Sequence, residues 1–351
     1  MKKKPVLWIT GIVVVITALG LLRFHPWKNS DSIDPNHTGP NTEAKQSLTI
    51  GYLPVTCHLT CPVTDFASKT TTSNTNFNSL RFADFPTAAD AIKSKQIMAT
   101  FMLAPLAMKL REDGVPVKIC YLGHRDGSEL IIAKNNPAKN LVDMKGKTIA
   151  LPGLYCNQRL VLHKLMLDQG LKDGDINFVI LPPPDMPTSL AAGAIDGYFV
   201  GEPFCAKAEL EGIGRALYLA RDIWPGFISC VLVVHEDLIK ERPEVVRDLV
   251  RGIAESGQWA EEHRADAATL VAPYYRQDEK VLNYVLTSEP HRVSYAQLTP
   301  TDEDLEKIQD MAITMGILKK KLPMSDIIDR EFVPQQVIAA PIDITKKIPA
   351  Q

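Results

Sequence analysis

The chain has 351 residues, a net charge of −2, and 45% hydrophobic and 23% charged residues. That length accommodates two domains of ordinary size, and the residue mix is that of a globular protein. A charge so near zero leaves no electrostatic case for a nucleic-acid partner.

Residues 1–23, MKKKPVLWITGIVVVITALGLLR, place three lysines ahead of the apolar run Val6–Leu22. A run of this length is at the short limit for a membrane-spanning helix and slightly long for a signal-peptide core. The lysines stay cytoplasmic, so the rest is exported. Ala18-Leu19-Gly20 is a weak cleavage site and no cysteine follows closely, so an uncleaved anchor is preferred to a cleaved signal. Residues 24–46, rich in Pro, Asn, Ser, Asp and Thr, read as a flexible tether.

A strand is expected at 48–53, followed by the loop PVTCHLTCPVTDF with Cys57, His58 and Cys61. A short helix is expected at 63–69, a polar loop at 70–78 and a short strand at 80–82. Asp84-Phe85-Pro86-Thr87 leads into a helix at 88–94 and a strand at 99–103. Strands at 117–122 and 129–134 follow, the second leaving the first lobe. A strand at 148–151 runs through Pro152-Gly153 into GLYCNQR and a helix at 160–169. A strand–loop–helix N-terminus suits an anion, because free N–H groups and the helix dipole point at it. Asn157, Gln158 and Arg159 stand at that point.

Residues 179–205 read as a strand, a proline run, a helix from Met186 to Ala192, the helix-stop Gly193, a strand at Gly197–Val200 and the turn Gly201-Glu202-Pro203. Residues 86–108 echo this scheme: Pro86-Thr87 answers Pro187-Thr188, and Ala104-Pro105 answers Glu202-Pro203. The offset of about a hundred residues is too long for a solenoid repeat and suits two similar α/β lobes. A ligand pocket between them follows from the general siting of such pockets. A helix at 205–212, a strand at 216–220, a turn at 222–226 and a strand at 230–234 complete this part. Residues 237–351 are mainly helical, with RPEVVRDLVRGIAESGQWA apolar at helical spacing.

VILPPPDMPTSLAAGAIDGYFVGEPFC, DIWPG and DMKGKTIALPG resemble the nitrate/bicarbonate/sulfonate/taurine class of solute-binding proteins that serve ABC importers. The resemblance implies an α/β, two-lobed periplasmic-binding-protein type II fold, here preceded by an N-terminal transmembrane or signal helix. Residues 47–133 and 232–351 would form lobe 1, and 134–231 lobe 2. It implies a non-enzymatic role without a cofactor, in the periplasm or at the outer face of the inner membrane. A small anion or polar metabolite would be captured in the cleft and passed to an ABC permease and ATPase. The implied ligand-facing residues are Cys57, His58, Phe85, Pro86, Thr87, Cys156, Gln158, Arg159, Glu202 and Cys230. Gln158 stands where relatives often carry histidine, and Cys230 where nitrate and bicarbonate relatives carry lysine. The missing lysine removes a charge partner for an anion and leaves a soft group. Two other readings remain: a sensory binding domain for a membrane partner, and a pyrimidine-precursor synthesis enzyme of the same fold using His58 and a cysteine.

The six cysteines, Cys57, Cys61, Cys120, Cys156, Cys205 and Cys230, leave three options open. They are disulfides, buried free thiols, or a soft-metal or thiol-chemistry pocket. The resemblance implies that all but Cys120 lie at cleft-facing edges, with Cys57 and Cys61 opposite Cys156, Cys205 and Cys230.

Overall fold

The structure, a computed structural model, describes residues 45–346. The segment Val6–Leu22, read above as an anchor, lies outside them. No helix among the described residues is long and apolar enough to cross a membrane.

The first strand, β1 (Gln46–Tyr52), buries Leu48, Ile50 and Tyr52 while Ser47 and Thr49 face solvent. It pairs in parallel with β2 (Thr75–Arg81) and β3 (Ala99–Met102). Helix α1 (Thr60–Thr70) packs against this edge, α2 (Phe85–Lys93) precedes β3, and α3 (Ala104–Glu112) leads to β4 (Val117–Leu122). The short β5 (Arg125–Asp126) marks the first crossing. Beyond it run β6 (Ser128–Ala133), β7 (Thr148–Leu151), β8 (Asn177–Ile180), β9 (Gly197–Gly201) and β10 (Gly214–Leu219). Between them lie α4 (Asn157–Asp168), α5 (Met186–Ala191) and α6 (Phe204–Leu210). The chain then returns as β11 (Val231–His235), and α7 (Pro243–Glu262) and α8 (Arg264–Tyr275) follow.

The two five-stranded sheets, β2-β1-β3-β11-β4 and β8-β7-β9-β6-β10, share one plan. In each, a first strand lies between two parallel partners, and the fourth in order is antiparallel to its neighbours. The echo seen in the sequence falls on equivalent elements: α2 and β3 in one sheet, α5 and β9 in the other. Two crossings, at 123–127 and 220–230, join the sheets.

Three local expectations need correction. The polar stretch read as a loop at 70–78 contains most of β2, an edge strand. Its backbone and hydroxyls are held by Asp65 Oδ2, which accepts from Ser79 N at 2.7 Å, and by Ser68 Oγ, which accepts from Phe77 N at 3.0 Å. The helix α3 was not foreseen; Pro105 sits in its first turn, where proline's missing N–H costs nothing. Strand β6 pairs with β9 and β10, so the strand expected to leave the first lobe already belongs to the second sheet.

Candidate functional site

The first crossing, the return crossing and the loop after β1 meet at Gly123. Gly123 N donates to the carbonyl of Cys230 at 2.8 Å, and a Cβ there would lie 2.1 Å from the carbonyl oxygen of Cys57. Only a residue without a side chain lets three backbones approach so closely.

The loop is gripped from both sides. Tyr275 and Tyr295 donate their hydroxyls to the carbonyls of Val55 and Thr56 at 2.8 and 2.9 Å. Thr56 N donates to the carbonyl of Glu202, at the end of β9, at 2.8 Å. The Thr56 hydroxyl donates to the same carbonyl at 3.3 Å and lies 2.8 Å from His124 Nε2. It therefore accepts from His124 Nε2–H, leaving Nδ1 as a lone pair. That atom is buried without a partner, and burial pushes the imidazole down to about 4, so it is neutral.

Cys57 and His58 of the loop and Cys230 of the return crossing bring two sulfurs and a ring nitrogen within 4.8 Å of one another, all buried. His58 stacks on Phe101, with centroids 5.3 Å apart, and meets Phe85 edge-on at 5.7 Å. Leu53 N donates to His58 Nδ1 at 2.7 Å. A backbone amide can only donate, so the neutral ring carries its proton on Nε2. Burial opposes ionisation of Cys57. The hydrogen bond from Cys230 and the neighbouring His58 side chain outweigh it and hold the thiol well below its ordinary value. Burial drives Cys230 the opposite way, well above it.

A second buried cluster lies beside the first. Arg292 Nε meets Glu202 Oε1 at 2.5 Å, its Nη2 lies 2.9 Å from Glu129 Oε1, and its Nη1 meets Glu209 Oε2 at 3.0 Å. Glu202 Oε2 accepts from Ala206 N at 2.9 Å. One guanidinium cannot neutralise three carboxylates. Burial and the Glu202 charge push Glu129 up to about 8, against the pull of Arg292. Glu202 is also raised by burial, with Arg292 opposing.

The expected residues therefore divide. Cys57, His58 and Cys230 converge, with Phe85 against the imidazole. Glu202 reaches the loop through its carbonyl, while its carboxylate is committed to Arg292. Gln158 Nε2 donates to Ser128 Oγ at 3.1 Å, which ties it to the start of β6. Its neighbour Asn157 holds the return crossing, donating to the carbonyls of Ile228 and Ser229 at 2.6 and 3.1 Å. Arg159 donates to Leu154 O and lines a separate cavity with His163, Phe178 and Met315. Pro86 and Thr87 are exposed residues in the first turn of α2, where Thr87 N is capped by Asp84 Oδ1.

The cysteines do not gather as expected. All six are free thiols. Cys61, one turn along from Cys57, directs its sulfur to the carbonyl of Ile50. Cys156 caps α4, accepting from Arg159 N. Cys205 turns to the carbonyl of Val200 and sits with Glu129 and Glu202. Sequence reading missed His124, Arg292, Thr56 and the two tyrosines. The polar residues between the strands expected at 117–122 and 129–134 are the one available signal for His124; nothing local marks Arg292.

The two-sheet α/β architecture with double crossings is that of periplasmic-binding-protein-like folds. The chain belongs to the NMT1-like family, whose profile matches residues 41–273. It is 26% identical over 253 residues to the nitrate import ATP-binding protein NrtC of Synechocystis sp., covering 64% of this chain and 37% of that one. The chain thus spans little more than a third of that relative's length. Among solved structures, it superposes on a zinc-bound ligand-binding component of an ABC-type import system from Staphylococcus aureus. The TM-score is 0.73 at 25% identity, over 82% of this chain and 97% of that one. It also superposes on the periplasmic nitrate-binding protein NrtA from Synechocystis, with TM-score 0.75 at 14% identity, over 83% and 87% of the two chains. That second likeness concerns the fold alone.

Proposed function

We propose that this chain is the extracytoplasmic solute-binding component of an ABC importer, with the two sheets as its lobes. It takes a small solute where the crossings meet and delivers it to a membrane permease. Residues 1–23 would anchor it at the outer face of the inner membrane. The observation that carries the reading is a concentration of unpartnered buried polar atoms on segments that touch one another. They are His58 Nε2, His124 Nδ1, Asn157 Oδ1, Gln158 Oε1 and Ser229 Oγ. Folded proteins pair nearly all such atoms, so a group of them marks a place that a ligand or ordered water completes. Few direct bonds hold the loop after β1 to the second sheet, chiefly Thr56 to Glu202. A hinge at 123–127 and 220–230 would open that seam.

The test is a thermal-shift screen of the full chain with nitrate, bicarbonate, taurine, other sulfonates and soft metal ions. A ligand held only by the folded state raises the melting temperature, by an increment that grows with ligand concentration. A shift that survives replacement of Asn157, Gln158, His58 and Cys230 would place the ligand elsewhere and defeat the reading.

A further inference from the structure

We infer that Cys57 and Cys230 form a two-sulfur site for a soft d10 cation of the Cu(I) type. This rests on the solute-binding reading and names the class of solute.

The geometry comes first. A thiolate sulfur sits about 2.3 Å from a bound ion, so two sulfurs sharing one ion are at most about 4.6 Å apart. The Cys57 and Cys230 sulfurs are within 4.8 Å of each other, on backbone segments pinned through Gly123. The pair is therefore at bridging distance with little adjustment, and neither sulfur is spent on a disulfide.

The nearby imidazole decides the type of ion. A histidine that ligates a metal offers a lone pair and donates its other N–H to an acceptor. His58 has the reverse arrangement: Nδ1 accepts from Leu53 N, and Nε2–H is buried with no hydrogen-bond acceptor in position. It can donate to a thiolate but has no lone pair to give an ion. Two sulfur ligands without that nitrogen fall short of the tetrahedral set that zinc requires. They suit Cu(I), which takes soft thiolates and is stable with two of them in line. The walls are aromatic, with Phe85 and Phe101 on His58 and Tyr295 edge-on to His124.

The step involves no change of oxidation state. Cu(I) enters as Cu(I), two sulfur–copper bonds form, and any proton still on either sulfur passes to solvent. His58 Nε2–H then donates to the Cys57 sulfur and spreads the negative charge of the two-thiolate complex.

The experiment uses the full chain, reduced and kept anaerobic. Cu(I) is supplied from its bicinchoninate complex, and Zn(II) is run in parallel. One Cu(I) per chain is expected, with a two-sulfur shell and no nitrogen ligand by X-ray absorption, a readout that needs no variant. Cys57→Ser and Cys230→Ser should each abolish one-to-one binding, whereas Cys156→Ser should not. His58→Ala should weaken binding by about 10–100-fold, as loss of a group hydrogen-bonded to a ligand does. Cu(I) retained in both cysteine variants, a nitrogen in the shell, or Zn(II) bound in preference would overturn the inference. If the chain refuses Cu(I) but nitrate, bicarbonate or a sulfonate raises its melting temperature, this inference fails and the importer reading stands. If neither the ions nor the anions raise it, both fail.

Discussion

Leu53 N donates to His58 Nδ1 at 2.7 Å across one turn of the loop after β1, and this contact sets the chemistry of the imidazole. It assigns the ring proton to Nε2, beside Cys57. Long-range nitrogen–proton NMR spectra of the metal-free chain at neutral pH should show the Nε2-protonated tautomer for His58. A dominant Nδ1–H signal would contradict both the hydrogen bond and the orientation of the ring.

Arg292 joins Glu129, Glu202 and Glu209, and its removal strands carboxylates that have little access to water. Arg292→Leu should lower unfolding free energy by about 3–5 kcal/mol, the usual cost of leaving a buried charge unpaired. Urea titration measures this. Adding Glu202→Gln to that variant should recover part of the loss, because the coupling runs through a 2.5 Å contact.

Glu129 gives the cluster a pH signature. Its folded pKa is raised to about 8, above the unfolded carboxylate value, so the folded state holds the proton more tightly. The stability that this contributes is fully present below about pH 4.3 and is lost as pH rises to about 8, at no more than about 1.4 kcal/mol per pH unit. Glu129→Gln should flatten unfolding free energy across that window and gain on the parent toward its upper end. A variant whose profile runs parallel to the parent's would assign the slope to other groups.

Gly123 and Gly153 offer a matched pair. A methyl on Gly123 meets backbone at 2.1 Å, whereas one on Gly153 meets only Leu103 Cδ1 at 3.8 Å. Gly123→Ala should destabilise by about 1–3 kcal/mol or more through forced backbone shifts. It should also loosen the loop carrying Cys57, seen as faster amide exchange at residues 56–59. Gly153→Ala should stay within about 0.5 kcal/mol of the parent. Equal effects at the two positions would remove the close-approach argument.

The plan of the molecule is written in local signals along the chain. The Pro-Thr echo, the alternating burial in β1 and the proline and glycine punctuation of 179–205 are local signals, and local sterics and hydrophobic periodicity carry them. For that reason the duplicated sheet, the placing of Cys57 and His58 after β1, and the family were legible. The strand β2 was not, because a polar edge strand has no apolar alternation to read; Asp65 and Ser68, on a different element, hold it in place. The tertiary structure alone decided which cysteines meet. Cys57 and Cys230 are joined through Gly123, while Cys61, Cys156 and Cys205 turn to local carbonyls or a helix cap. It alone placed Arg292 among three glutamates from the second sheet and its helix. Such contacts arise from chain segments that pack together only after both sheets form, and no spacing along the chain encodes them.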